Sequence, residues 1–120
     1  MIKTKSVYHD PIEPQDGFRL LVMRYWPRGV SKAKVDLWFR DLGPEPALLD
    51  AYRKGRTDWE TFSAGYREQV TNSQDGQKRL SEVERLEETH GTVTLLCHEN
   101  LATPDARCHR MILKEVLDSR

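Results

Sequence analysis

Apolar positions recur along this chain with two different periods, and the change from one to the other predicts its elements. Residues 2–8 alternate crudely, with Ile2, Thr4, Ser6 and Tyr8 opposite Lys3, Lys5 and Val7, as a short edge strand does. Two Pro, a Gly and several acids between His9 and Gly17 then mark a loop. Residues 18–25 form a nearly continuous apolar run, the pattern of a strand covered on both faces. It stops at Trp26-Pro27-Arg28-Gly29, where the Pro and Gly spacing predicts a type I turn with Arg28 at its apex. Residues 30–43 hold Leu37, Trp38, Phe39 and Leu42 without a clean period, so irregular chain with a short turn is expected there.

From Pro44 the period becomes helical. Residues 44–54 open with Pro, carry Glu45 early and Arg53 and Lys54 late, and end at Gly55. Asp58 is placed to cap a second helix, on which Trp59, Phe62, Tyr66 and Val70 fall at spacings of three, four and four, one buried stripe. A third, charged helix is expected from Asp75-Gly76 to His90, with Leu80, Val83 and Leu86 inward and Gly91 as its stop. Residues 92–97 are β-branched and then apolar, a second core strand. A last helix is predicted from a cap at Thr103, with Pro104 and Asp105 in its first turn, through Ile112, Val116 and Leu117.

Strands separated by helices predict an α/β fold, because parallel neighbours need crossovers and helices make them. The expectation is one three-layer α/β domain over residues 1–120, with a small, mostly parallel central sheet and residues 20–25 and 93–97 at its centre. A length of 120 residues fits one domain and allows a core without disulfides. Nineteen Lys plus Arg balance nineteen Asp plus Glu, so no overall field draws in nucleic acid or anionic lipid. No apolar run reaches the length of a membrane span. The start, Met1-Ile2-Lys3-Thr4-Lys5, leads into alternation instead of an apolar signal core, which predicts a cytoplasmic protein with reduced cysteines.

Ligands of open α/β sheets sit beyond the carboxyl ends of the strands. Parallel core strands bring Arg24-Tyr25-Trp26-Pro27-Arg28-Gly29 and Cys97-His98-Glu99-Asn100 to one edge, followed by Cys108-His109-Arg110. Arg24, Arg28 and Arg110, with Trp26 to stack on a planar group, form a donor set for an anionic small molecule or a nucleotide-like ligand. The competing reading pairs these arginines with Glu99, Asp36 or Asp41 and leaves Trp26 in the core.

Cys97, Cys108, His109 and Glu99 are the candidate catalytic groups, thiols for nucleophilic or redox work and imidazole or carboxylate for proton transfer. Cys97, Cys108 and His109 also form a soft donor set for zinc or iron. Adjacent Cys and His point in different directions, so at most the two cysteines and one histidine can meet a single ion. The bland alternative is two separate buried thiols. Beyond the five residues that follow Cys97 stands Thr103, not Arg, so the Cys-x5-Arg phosphatase loop is excluded, as are a Cys-x-x-Cys motif and a glycine-rich nucleotide loop. A third class, a nucleic-acid or protein-binding accessory domain on the basic residues between Arg24 and Arg40, is disfavoured by zero net charge.

Taken in order, Arg24-Tyr25-Trp26-Pro27-Arg28-Gly29, Leu37-Trp38-Phe39-Arg40-Asp41-Leu42-Gly43-Pro44, Thr94-Leu95-Leu96-Cys97 and Cys108-His109-Arg110 resemble the domain of unknown function 488 family, in its YeaO-like branch. The resemblance runs over nearly the whole chain. It implies a small bacterial or archaeal α/β protein and does not bring an established activity with it.

Overall fold

The computed structural model describes residues 1–99 and 107–120. Four strands, β1 (Ile2–Ser6), β2 (Phe18–Leu21), β3 (Leu37–Trp38) and β4 (Val93–Cys97), form one sheet in the order β1-β4-β2-β3, and every pairing is parallel. Val93 is in register with Ile2 on one side and with Phe18 on the other, so the two apolar strands of the sequence are the two inner strands. All five residues of β4 are buried, as a central parallel strand requires.

Among the described residues four helices, α1 (Pro46–Arg53), α2 (Trp59–Thr71), α3 (Gln74–His90) and α4 (His109–Asp118), accompany the sheet. The two-residue period of the strands sorts side chains between the faces of the sheet. Leu20, Val22, Val93 and Leu95 meet Tyr66 and Val70 of α2, Leu80 and Val83 of α3, and Ile112 and Leu113 of α4 in the main core. Leu21 and Leu96 point the other way, against Val7 and Val30, with Trp26 and Trp38 packed over them. The layer on that face is irregular chain instead of helix, because residues 26–36 cross it as loops with one short 3₁₀ turn.

Several boundaries differ from the sequence expectation for local reasons. Helix α1 starts at Pro46, since Gly43 and Pro44 are held in extended chain by side chains that bond their carbonyls. Helix α3 starts at Gln74, because Ser73 accepts from the Gly76 N–H and caps it ahead of Asp75. The turn after β2 lies one residue later than expected: the Val30 N–H donates to the Pro27 carbonyl and Gly29 has φ of 79°. A positive φ at the third position is the signature of a type II turn, and it is what glycine supplies there. The two-residue β3 forms where irregular chain was expected. The cap expected at Thr103, with Pro104 and Asp105, lies outside the described residues. Among the described residues no helix is long and apolar enough to cross a membrane.

One polar cluster is buried beside the core. Lys5 of β1 reaches Glu13 at 2.5 Å and Asp16 at 2.6 Å, and Arg19 of β2 also bonds Asp16, whose side chain is 1% exposed. The same Asp16 accepts from the Glu13 N–H, and its carbonyl accepts from the Thr94 hydroxyl of β4. Residues 9–17 are thereby pinned to three strands without an apolar core of their own.

Candidate functional site

Strand β4 ends on Cys97, and the chain leaving β2 passes beside it, so the carboxyl edge of the sheet opens into a pocket of about 110 Å³. Its floor is Cys97, Cys108 and His109. One wall is aromatic: Tyr52 of α1 lies 4.7 Å from Phe62 of α2, and Trp59 stacks on Phe62 at 5.3 Å. Arg24, Arg53 and Arg107 add guanidinium groups, with Arg107 above the Trp59 ring at 5.8 Å.

The floor is built from opposite directions. Cys108 is the extended residue that starts α4, with φ of −152°, instead of lying in the second turn of a helix begun at Thr103. His109, the first helical residue, is buried, and its Nε2 lies 2.6 Å from the Val22 carbonyl. A carbonyl only accepts, so the ring carries a proton on Nε2 and turns Nδ1 toward Cys108 Sγ, 3.8 Å away. The sulfurs of Cys97 and Cys108 and a nitrogen of His109 all lie within 4.8 Å of one another, and both cysteines are free thiols.

Two buried thiols this close do not ionise independently. The Cys97 thiol is held well below the ordinary range, first by the hydrogen bond from Cys108, which outweighs its burial with help from His109 and His98. Burial, and then the charge on Cys97, push the Cys108 thiol well up. Of the two, Cys97 is the sulfur whose neighbours favour the thiolate. His98 Nδ1 lies 3.7 Å from Cys97 Sγ and its Nε2 lies 2.7 Å from Glu99. Cys97, and to a smaller extent Glu99, raise the His98 pKa against the effect of its partial burial. His98 and Glu99 thus form a proton-carrying pair at the pocket lining, beside the thiol.

The expected ligand residues do not converge. Arg24 lines the pocket, but its Nε donates to the Pro44 carbonyl and an Nη to that of Gly43. Arg110 sits behind the floor, 1% exposed, with one Nη on the Glu99 carbonyl at 2.7 Å and the other 3.8 Å from Cys108 Sγ. Arg28 is exposed on the turn, and its carbonyl accepts from the Tyr8 hydroxyl. Trp26 donates to the Val30 carbonyl and meets Trp38 edge-on at 5.5 Å, on the loop-covered face of the sheet. Arg28 and Trp26 do not line the pocket, because the chain leaves it at Tyr25 to cover the other face. Arg53, Arg107 and the Tyr52, Trp59 and Phe62 wall were not foreseen. The signal lay in Arg107 standing beside Cys108-His109, whereas the Trp59 and Phe62 stripe reads as core from its spacing alone.

A family model described as the active DUF488-N3 subclade matches residues 2–120. The chain belongs to the DUF488-N3 family. It is 32% identical over 120 residues to the uncharacterized protein YeaO of Escherichia coli (strain K12), covering 98% of this chain and 97% of that protein. It is 28% identical over 121 residues to the uncharacterized protein Rv3073c of Mycobacterium tuberculosis (strain ATCC 25618 / H37Rv), with 99% and 95% covered. No solved structure matches it significantly.

In this DUF488-N3 chain the pocket also depends on Gly43. A Cβ there would stand 2.2 Å from the Arg24 backbone nitrogen and 2.6 Å from its Cα. Gly43→Ala is expected to push the 40–44 segment off the chain leaving β2 and cost about 1–3 kcal/mol, an overpacking penalty, measurable by urea unfolding.

Proposed function

We propose that this protein is a thiol-dependent enzyme that binds a small anionic molecule with a planar group. Cys97 is its nucleophile. The observation that carries the reading is the placement of Cys97 Sγ, at the end of the central strand and on the floor of the pocket, with Cys108 and His109 against it. A thiolate, not a thiol, attacks, and the neighbours of Cys97 favour the thiolate. Tyr52, Trp59 and Phe62 offer flat apolar surface, and Arg53 and Arg107 offer charge at the same mouth, which suits a planar anion better than an uncharged aliphatic one. His98, held by Glu99, supplies or removes the proton as the leaving group departs. The description of the subclade as active agrees with this reading.

The test is protection of Cys97 from iodoacetamide at pH 6 by a panel of arenesulfonates, arylphosphates and aromatic carboxylates. At least one is expected to slow alkylation saturably. In an Arg53→Ala/Arg107→Ala variant its apparent affinity is expected to fall about ten- to a hundredfold, as loss of charge-assisted bonds worth roughly 1.5–3 kcal/mol implies. Protection by none of them, or equal protection of the variant, removes the anion from the reading.

A second reading is favoured by one distance. Cys108 Sγ and His109 Nδ1 are 3.8 Å apart, close to the ~3.6 Å between a sulfur and a nitrogen on one tetrahedral ion. Zinc or iron held by Cys97, Cys108 and His109 would remain in protein purified without chelator, be lost in Cys97→Ser, and leave both thiols slow to alkylate.

A further inference from the structure

A nucleophilic mechanism needs one sulfur, and this site has two. Cys97 and Cys108 are the protein's only cysteines, and separate elements deliver both to one floor. A thiol kept for packing behaves as a small apolar residue and has no reason to face a second thiol inside a pocket. Cys108 is also furnished for chemistry of its own. His109 Nδ1 lies 3.8 Å from its sulfur, within reach of its proton, and an Nη of buried Arg110 lies 3.8 Å away as positive charge.

We propose that Cys108 is a resolving thiol, which closes a reversible disulfide with Cys97 once a hydroperoxide has oxidised Cys97. The proposal rests on the reading of Cys97 as the nucleophile at the end of β4. In the first step the Cys97 sulfur attacks the outer oxygen of the hydroperoxide. The O–O bond breaks, the leaving alkoxide takes a proton to become an alcohol, and Cys97 becomes a sulfenic acid. In the second, the Cys108 sulfur gives its proton to His109 and attacks the Cys97 sulfur. The S–O bond breaks, and the hydroxide leaves as water with that proton. In sum, two thiols and one hydroperoxide give a disulfide, an alcohol and water. Two equivalents of an external thiol reverse it.

The sulfurs must approach to about 2.05 Å from their present separation within 4.8 Å. Rotation of side chains at a strand end and at the extended residue ahead of α4 supplies much of that movement. The disulfide takes the nucleophile out of action and spares it from sulfinic acid, which thiols do not reverse.

The experiment treats the reduced full chain with one equivalent of hydrogen peroxide, quenches with iodoacetamide, and reads intact mass and peptide map. The wild type is expected to lose two hydrogens, resist alkylation, yield a Cys97–Cys108 linked peptide, and regain both thiols with dithiothreitol. Cys108→Ser is expected instead to hold Cys97 as a dimedone-reactive sulfenic acid and pass to sulfinic acid on the order of ten times faster than wild type. Equal rates of sulfinic acid formation, with no linked peptide from wild type, overturn the resolving role. Alkylation in untreated protein separates the two failures. Fast alkylation without a disulfide overturns only this inference, whereas a Cys97 no faster than an ordinary thiol overturns the nucleophile on which it rests.

Discussion

Asp16→Ala should be the most damaging single substitution away from the pocket, costing about 3–5 kcal/mol, the usual result of removing one partner from a buried ion pair. The carboxylate is 1% exposed and faces both the Lys5 ammonium and the Arg19 guanidinium, whose side chains are themselves 11% and 9% exposed. Its loss strands two cations where water reaches poorly, and it also frees the Glu13 N–H that holds the 9–17 loop. Urea unfolding at pH 7 should show a lower midpoint with little change in slope. Adding Lys5→Met should restore part of the loss, because one stranded charge goes with it; a double variant weaker than Asp16→Ala would show the cluster is not acting through charge.

The same residue sets an acid limit on stability. Burial alone would raise the Asp16 pKa, but the bonds from Lys5, from the Glu13 backbone and from Arg19 outweigh it and hold the carboxyl below its ordinary value. A group whose folded-state pKa is depressed contributes its full stability above the unfolded value, near 4, and loses it as pH falls through the folded-state value. Lys5 has the opposite sign: despite burial, Asp16 and Glu13 raise its pKa, so its contribution is full below about 10.4 and is lost as pH rises further. Unfolding free energies from pH 7 down to pH 2 should therefore fall in wild type and fall less in Asp16→Asn.

How far the sequence carried the site depended on whether the deciding interactions were local. Trp59, Phe62, Tyr66 and Val70 repeat at helical spacing, and α2 buries three of them. Residues 93–97 read as a core strand and are one, and its last residue is the sulfur on the pocket floor. The limit of one histidine to two cysteines followed from the directions of adjacent side chains, and the cluster has that makeup. Arg28 and Trp26 do not join because residues 26–36 turn over the far face of the sheet, where the Trp26–Trp38 contact holds them. That contact spans twelve positions and leaves no periodic trace. The start of α4 was hidden differently. Cys108 makes no side-chain cap bond, so it lacks the Ser, Thr, Asp or Asn signal by which a helix start is read.

Cys97→Ser should reduce the rate of iodoacetamide alkylation at pH 6 by about a hundredfold or more. At that pH an unperturbed thiol is roughly 0.3% thiolate, and the neighbours that lower the Cys97 pKa raise its ionised share above that. A lower pKa also makes the thiolate a poorer nucleophile, with a Brønsted slope near ~0.5, so the rate gain is smaller than the gain in ionisation. The sulfur left in Cys97→Ser is Cys108, whose pKa burial holds well above the ordinary value. The groups facing Cys97 differ in how their removal should act. Cys108→Ser keeps a hydroxyl donor and should slow alkylation modestly, while His109→Ala removes the imidazole and frees the Val22 carbonyl, and should slow it about tenfold. His98→Gln should move the upper limb of a pH–rate profile, since His98 is the neighbour that Cys97 and Glu99 hold protonated to higher pH. Arg110 and Arg24 are engaged with backbone carbonyls, and Tyr66 stays un-ionised in the core with its hydroxyl on the Leu42 carbonyl. If Cys97→Ser alkylated at pH 6 as fast as wild type, the reactive sulfur would be Cys108, and the strand-end thiol would be the resolving partner.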